Sequence, residues 1–241
     1  MEVSFKDIQL GHQPKGLTLI TSTIDLSPLW LVDLIASKSG EQTLLVTFRN
    51  TRALHEKGLK RLGIDINSSK RVSILDISDQ LFPISQGQFT TASLDSITKS
   101  ITNTIEKCYG NGHAGEVTVI LEYPDVLLSS AAHKGLEAAK VIGQIQRACG
   151  GGLYVSCNGD EPLIGLDESS SLAHEQSTFL AQLVHQCNSC ISLRPLSTGR
   201  AHDVTGIFRI TRGPRVVSTQ SVSDAEYLYF VSGDSVKFFY R

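Results

Sequence analysis

The chain has 241 residues, of which 41% are apolar and 19% charged. A chain of this length buries roughly 70–75% of the surface of its extended form, so a core can form without disulfides or a structural metal. Its 22 basic and 24 acidic residues give a net charge of −2, which excludes a globally basic nucleic-acid-binding protein. Contact with a polyanion would need a local patch or a surface shared by several chains.

The opening sequence MEVSFKDIQLGHQPKG contains no long apolar run, so we expect neither a secretory signal nor a membrane anchor. Nowhere does the chain approach the roughly 18 consecutive apolar residues of a membrane-spanning helix. Five cysteines at irregular spacing predict reduced thiols rather than a disulfide framework. These features predict a protein of the cytoplasm or the nucleus.

The first predicted strand covers 17–21, and a helix follows it after a short loop. Ser27 is the expected N-cap of this helix. Pro28 fits the first helical position because its missing N–H costs nothing there. The apolar face of the helix consists of Leu31, Leu34 and Ile35.

Strands and helices continue to alternate along the chain. The further predicted strands cover 43–48, 72–75, 117–121, 153–157 and 190–193, and the further helices cover 52–62, 94–108, 128–149 and 171–187. Gly63 and the glycines at 150–152 are expected to end two of these helices. The run VTVIL at 117–121 is almost wholly apolar, which is typical of a strand covered on both faces in a parallel sheet.

The pattern changes after Thr205, where three strand-like runs follow one another without room for helices. These runs are GIFRIT, EYLYFV and VKFFYR, and they are expected to pair as an antiparallel extension. The whole sequence therefore predicts a single α/β domain over 1–241. It is expected to have three layers and a mainly parallel central sheet that carries a C-terminal antiparallel β extension.

The loop after the first strand is where a nucleotide would bind in such a fold. A phosphate-binding loop needs glycines for close backbone approach and a lysine for the terminal phosphates. The segment 17–37 contains neither glycine nor lysine, so the phosphate-binding loop is absent and we predict no enzyme activity and no cofactor. The alternative is an unorthodox NTP-hydrolysing site around Thr21, Ser22, Thr23 and Glu122. Without a partnering lysine, Glu122 is more simply a carboxylate that leaves the sheet for solvent.

Cys187 and Cys190 have the spacing of half a zinc site, and His185 is close in sequence. A second pair of ligands at matching spacing is missing, so buried free thiols are the simpler interpretation and no metal is predicted. A redox role would need the pair at the start of a helix, where the dipole lowers the thiol pKa. Here the pair follows the end of a helix. A metal or redox protein is thus the third hypothesis.

Charged residues are unevenly distributed in the second half of the chain. The interval between Arg147 and Arg194 has no lysine or arginine, and its acids are Asp160, Glu161, Asp167, Glu168 and Glu175. The next stretch has one acid, Asp203, and five arginines, which are Arg194, Arg200, Arg209, Arg212 and Arg215. Neighbouring blocks of opposite charge are either solvated surface or parts of a head-to-tail interface or RNA-facing rim, because arginine binds carboxylates and phosphates alike.

The segments GRAHDVTGIFRITRGP at 199–214 and EYLYFVSGDSVKFFYR at 226–241 closely resemble the end of the Elongator complex protein 6 family. The matching features are the DVTG strand, the Arg212-Gly213 turn, EYLY and the terminal K-x-F-Y-R pattern. Looser likeness continues upstream in PLW at 28–30 and VTVILEYPDVLLS at 117–129.

This resemblance implies a RecA-like fold that lacks the phosphate-binding loop. It also implies a hetero-hexameric ring with Elongator proteins 4 and 5 that binds tRNA and supports modification of the wobble uridine, while the radical chemistry belongs to the catalytic core subunits. No catalytic residue carries over to this chain. From the matching tail and the arginine block, we expect Arg200, Arg212 and Arg215 to lie at a subunit boundary or an RNA-facing rim.

Overall fold

The computed structural model of the chain describes residues 2–3, 16–39, 42–69, 71–82, 84–85, 88–109, 117–129, 133–161, 170–199, 201–215, 224–233 and 235–241. Its strands are β1 (Glu2–Val3), β2 (Gly16–Ser22), β3 (Gln42–Thr47), β4 (Val72–Asp76), β5 (Ile84–Ser85), β6 (Gln88–Phe89), β7 (Val117–Glu122), β8 (Gly150–Asn158), β9 (Ser189–Arg194), β10 (Gly206–Arg212), β11 (Ala225–Ser232) and β12 (Ser235–Tyr240). Its helices are α1 (Leu29–Lys38), α2 (Arg52–Arg61), α3 (Ser78–Leu81), α4 (Leu94–Tyr109), α5 (Val126–Ser129), α6 (Gly135–Cys149) and α7 (Ser171–Gln186).

The central sheet has the strand order β1-β12-β11-β10-β9-β2-β8-β7-β3-β4. The six strands from β9 to β4 are parallel, and the pairs formed by β9, β10, β11, β12 and β1 are antiparallel. β2 is the second strand of the parallel part, between β8 and β9, where Leu19 pairs with Val155 on one side and with Cys190 on the other. The predicted parallel sheet with a C-terminal antiparallel extension is confirmed.

Helices cover both faces of this sheet. Along β2, Leu19 belongs to the core cluster beneath α4, α6 and α7, whereas the next residue, Ile20, belongs to the cluster beneath α1 and α2. Leu44 and Leu45 divide in the same way along β3, because successive strand residues point to opposite faces. Both faces are therefore apolar, as the uninterrupted run in β7 predicts. The result is the three-layer architecture of a RecA-like domain.

The predicted helix over 128–149 is wrong, because the structure divides this region into α5 and α6. Lys134, immediately before α6, has an extended backbone with φ −92° and ψ 145°, which ends helical continuity. Both helices pack on the same core cluster, with Leu128 from α5 and Ile142 from α6, so their apolar spacing looks continuous in the sequence.

Other boundaries differ by smaller amounts. Gly150 ends α6 in the left-handed region with φ 65°, as expected of a glycine there, but β8 starts at this residue instead of at 153. β1, α3 and the small β5–β6 hairpin have no counterpart in the predicted elements. Among the described residues, no helix combines the length and apolarity needed to cross a membrane. The assignment of all 241 residues to one domain stays a prediction.

A buried polar pair joins α1 to α2. Asp33 Oδ1 lies 2.7 Å from His55 Nδ1, and both side chains are shielded from solvent. Gly58, one turn after His55, lies against the same carboxylate, because a Cβ added to Gly58 would lie 1.9 Å from Asp33 Oδ2. The absence of a side chain at Gly58 therefore allows the two helices to enclose the pair.

Replacing Gly58 with alanine is expected to destabilise the protein by about 1–3 kcal/mol, the usual cost of inserting an extra methyl group into a filled space. In an ordinary helix interior the same change stabilises by about 1 kcal/mol, so the expected sign is reversed here. Urea denaturation of the wild type and the variant would measure the difference. An added Asp33→Ala change should remove most of the penalty by opening the space, and a stabilising Gly58→Ala variant would contradict the packing described above.

Candidate functional site

Backbone amides of the loop between β2 and α1 donate hydrogen bonds to other groups of the same chain. Ile24 N donates to Asp160 Oδ2 at 3.0 Å, and Leu26 N donates to Thr23 O at 2.9 Å. Pro28, directly before α1, has no N–H to offer. In a phosphate-binding loop such amides would be directed at the anion, but here a carboxylate of the same chain already takes one of them. The geometry agrees with the predicted absence of a phosphate-binding loop.

Two of the three hydroxyls of the alternative NTP-hydrolysing site have structural partners, whereas the buried Thr23 Oγ1 has none among the described residues. Thr21 Oγ1 accepts a hydrogen bond from Arg194 Nη2 at 3.3 Å. Ser22 Oγ lies 3.3 Å from the hydroxyl of Tyr123. These contacts tie the end of β2 to the ends of β9 and β7, and none of them needs a nucleotide.

Glu122 is fully buried, so the expectation that it leaves the sheet for solvent is wrong. Thr47 Oγ1 donates to Glu122 Oε2 at 2.9 Å, and the Asn50 backbone N–H donates to the same oxygen at 3.4 Å. The Asn50 side-chain amide donates to Oε1. Both carboxyl oxygens thus have hydrogen-bond partners from β3 and the turn after it, as a buried polar group requires. Glu122 binds two parallel strands together at their carboxyl ends.

The thiols at the end of α7 are free, and Cys187 is buried while Cys190 is half-buried. Burial raises the pKa of Cys187 to about 11 and also raises the pKa of Cys190. A raised pKa disfavours the thiolate, which is the form that reacts and binds metal. In the described part of the chain, no group of three or more His, Cys, Asp or Glu side chains is arranged to hold a metal ion.

Two of the three candidate arginines lie at the amino-terminal edge of the parallel strands. Arg212 is the last residue of β10 and pairs with Ser189, the first residue of β9. The Arg215 backbone N–H donates to Cys187 O at 3.2 Å, and its carbonyl accepts from Asn188 Nδ2 at 2.9 Å. Both arginines are exposed, on the opposite edge from the β2–α1 loop. Arg200 lies outside the described residues.

The other two described arginines of the basic block do not lie beside Arg212 and Arg215. Arg194 lies at the carboxyl-terminal edge, where it contacts Thr21, and Arg209 lies midway along β10 opposite Ser192. The basic block of the sequence is therefore divided between two edges of the sheet.

Arg215 also lines a cavity of about 320 Å³ at the amino-terminal edge. The other lining residues come from the starts of β2 and β8, the end of α7 and the last turns of α6, and they are Gly16, Gln146, Gly150, Gly151, Gln186 and Asn188. The site offers one exposed cation beside amide side chains and glycine backbone.

The Arg212-Gly213 turn has a clear steric requirement. Gly213 N donates to Asn188 O at 2.8 Å, and a Cβ on Gly213 would lie 2.2 Å from the carbonyl oxygen of Cys187. Only glycine permits this approach of two backbones. The turn therefore fixes the position of Arg212 and of Arg215 relative to β9.

The sequence features shared with the family in the first and last parts of the chain meet in space. Trp30 of the PLW segment lies with its ring centroid 5.2 Å from that of Tyr229, in EYLY, and 6.0 Å from that of Phe238, which occupies the variable position of the terminal K-x-F-Y-R pattern. Tyr229 and Phe238 are fully buried. This aromatic cluster packs α1 against the antiparallel extension, so these motifs serve the fold.

A second cavity, of about 250 Å³, lies at the carboxyl-terminal edge. Its walls come from the segments that follow β3 and β7, from the last residue of β8 and from the start of α7, and they consist of Arg49, Tyr123, Asp125, Val126, Ser129, Asn158, Leu172 and Gln176. The Arg49 guanidinium carbon lies 4.9 Å from the centroid of the Tyr123 ring. This cation–π contact forms one side of the cavity.

Asp125 is the carboxylate of this cavity, and 8% of its surface is exposed. Its Oδ2 accepts from Asn158 N at 3.0 Å and from Gln176 Nε2 at 3.1 Å. Its Oδ1 is buried and has no hydrogen-bond partner among the residues that the structure describes. Burial raises the pKa of Asp125 to about 6, although the hydrogen bonds oppose this shift.

The residues that line this cavity are not among the site residues predicted from the sequence. The sequence nevertheless contains a signal for the cavity. The carboxyl ends of parallel strands such as β3, β7 and β8 meet at one edge of the sheet, so polar residues at or just after these ends come together. Arg49, Asp125 and Asn158 satisfy this rule. Gln176, from within α7, could not have been chosen in this way.

A scan against protein-family models gives no match. The chain is 26% identical over 239 residues to the Elongator complex protein 6 homolog of Schizosaccharomyces pombe, an alignment that covers 93% of this chain and 91% of that protein. It is 32% identical over 141 residues to Elongator complex protein 6 of Saccharomyces cerevisiae, which covers 52% of this chain and 48% of that protein. The resemblance seen in the tail therefore extends over nearly the whole chain.

Proposed function

We propose that this chain, a relative of Elongator complex protein 6, is a non-catalytic subunit of an Elongator complex. The observation that carries the proposal is the similarity to the S. pombe homolog over 93% of the chain. The β2–α1 loop supports the non-catalytic role, because its amides are already bound to Asp160 and Thr23 and it contains no lysine.

The assembly that we propose is a hetero-hexameric ring with Elongator proteins 4 and 5. In a head-to-tail ring, each subunit presents two different surfaces to its neighbours. Arg212 and Arg215 mark the amino-terminal edge of the sheet, and Asp160 and Glu161 follow β8 at the carboxyl-terminal edge. Arg49 and Arg194 also lie at the carboxyl-terminal edge, so the complementary charges that suit this kind of contact are the acids there and the two arginines of the opposite edge, not the edges as a whole.

The assembled ring is proposed to bind tRNA and to support wobble-uridine modification by the catalytic core subunits, in the cytoplasm and also in the nucleus. A single chain of net charge −2 gives little general attraction for RNA, so a basic rim contributed by several subunits would have to supply it. Arg200, Arg212 and Arg215 are this chain's candidates for that rim or for the subunit boundary, since arginine binds phosphate and carboxylate with equal geometric fit.

The test is co-expression with Elongator proteins 4 and 5, followed by measurement of the assembly mass by light scattering and of tRNA affinity across a range of salt concentrations. The informative variants are Arg212→Glu with Arg215→Glu, and Arg200→Glu alone. The matched control for the double variant is Lys57→Glu with Lys60→Glu on the exposed side of α2, which changes the net charge by the same amount, and Lys57→Glu alone matches Arg200→Glu.

If the arginines contact phosphate, the ring still forms and the salt slope of tRNA binding falls by roughly 1 per lost contact. If they lie at the subunit boundary, the ring fails to form. A wild-type chain that does not associate with the two partners would refute the proposed function, and an arginine variant that behaves like the control would remove these residues from it.

A further inference from the structure

The cavity beside Asp125 is small and partly apolar. At about 250 Å³ it lies below the range of roughly 300–1,000 Å³ that holds drug-sized ligands, so it suits one long side chain rather than a nucleotide. Val126 and Leu172 provide apolar wall, and Asp125 provides the carboxylate.

The unsatisfied oxygen of Asp125 defines what the occupant must supply. Oδ2 already accepts two hydrogen bonds, from Asn158 and Gln176, while the buried Oδ1 accepts none within the described chain. A buried carboxylate oxygen without a donor is costly, and the cost disappears when a donor group enters. The occupant is therefore a hydrogen-bond donor, and because Oδ1 is closed to solvent, the side chains that cover it must shift as the occupant enters.

Charge favours a cationic donor. With its pKa raised to about 6, Asp125 is mostly ionised at pH 7, and Asp160 and Glu161 lie at the same edge of the sheet. Arg49, which lines the cavity, is held over the Tyr123 ring; its charge opposes the rise that burial causes in the pKa of Asp125, but it donates no hydrogen bond to Oδ1. Arg194, at the same edge, donates to Thr21 and Gly159 instead. A positively charged group would form a charge-assisted hydrogen bond with Oδ1 while its methylene groups pack on Leu172 and Val126.

We propose that this cavity receives an arginine side chain of a neighbouring subunit, whose guanidinium donates to Asp125 Oδ1. The proposal rests on the ring described above, because the carboxyl-terminal edge is one of the two surfaces that a head-to-tail assembly joins. Arginine fits better than lysine because its planar guanidinium is less strongly hydrated and keeps several donors in a fixed arrangement.

The chemistry of the cavity can be tested on the isolated full-length chain. The probe is N-acetyl-arginine amide, and the matched control is N-acetyl-citrulline amide, which has nearly the same shape without the charge. The NMR signal of the Gln176 side-chain amide reports on binding directly, because this group donates to Asp125. We expect a saturable shift with the arginine probe, an affinity at least about tenfold weaker with citrulline, and no saturable shift in Asp125→Asn. Equal binding of the two probes, or no binding of either, would overturn the proposal.

The role in assembly is tested in the co-expressed complex by comparing Asp125→Asn with Glu161→Gln. Both changes remove one negative charge from the same edge, but Glu161 is exposed and lies outside the cavity. We expect Asp125→Asn to weaken assembly by at least about tenfold and Glu161→Gln to change it by less than about threefold. If the wild type assembles and the two variants assemble equally well, the proposed arginine contact in the cavity is contradicted, whereas the proposed ring is not. If the wild type does not assemble, the proposed function fails, and the probe experiment still decides the chemistry of the cavity.

Discussion

Replacing His55 with alanine is expected to lower the free energy of unfolding by about 3 kcal/mol, because the change leaves the buried Asp33 carboxyl group without its hydrogen-bond partner and creates a cavity. His55 Nδ1 lies 2.7 Å from Asp33 Oδ1, and the exposed fraction of His55 is 0%. Burial raises the pKa of Asp33, and the hydrogen bond and the charge of His55 oppose this rise. Without His55, the desolvation of the Asp33 carboxylate would have no compensation.

The measurement is a double-mutant cycle of His55→Ala and Asp33→Ala by urea denaturation at pH 7. Because each single change strands the partner, the double variant should cost less than the sum of the two single changes. Glu56→Ala is the control from the same helix, because its ion pair with Arg52 is exposed, with 38% of the Glu56 side chain accessible. It should cost no more than about 0.5 kcal/mol. Additive single changes would show that the pair does not act as a unit.

The fold was predictable because the residue types of the parallel strands indicate that both faces of these strands are buried. A strand covered on both faces needs apolar residues at nearly every position, and β7 with the sequence VTVILE satisfies this condition. The antiparallel extension was equally visible, since three strand-like runs follow one another without helical spacing between them. The break between α5 and α6 was hidden because both helices contribute to one core cluster.

The polar sites were harder to predict because their state depends on residues remote in sequence. Glu122 stays buried because Thr47 and Asn50, more than 70 residues earlier, supply its hydrogen bonds. Asp125 is held by Gln176, 51 residues later. Residue type and spacing indicate which groups can ionise, but only the register of β3 beside β7 and the position of α7 decide which of them are buried.

Asp125 should also make the stability of the isolated chain depend on pH in an unusual direction. Burial raises its pKa from 3.8 to about 6, so the folded chain binds this proton more tightly than the unfolded chain. The resulting stabilisation is complete below about pH 3.8 and is lost as the pH rises through about 6. The full loss is about 3 kcal/mol, since one pKa unit corresponds to about 1.4 kcal/mol.

Asp125→Asn should remove this dependence. The asparagine carbonyl oxygen can take the place of Oδ2 and keep the hydrogen bonds from Asn158 and Gln176, while the variant carries no charge to desolvate. Relative to the wild type, its free energy of unfolding should therefore rise by about 2–3 kcal/mol between pH 4 and pH 7. Urea denaturation across this range measures the difference, with Glu161→Gln as the exposed control that should show no such rise. If the difference in free energy of unfolding between Asp125→Asn and the wild type does not change with pH, Asp125 carries no desolvation penalty. If the difference rises with pH in the isolated chain but not in the assembled complex, this result would match a cation from a neighbouring subunit beside the Asp125 carboxylate.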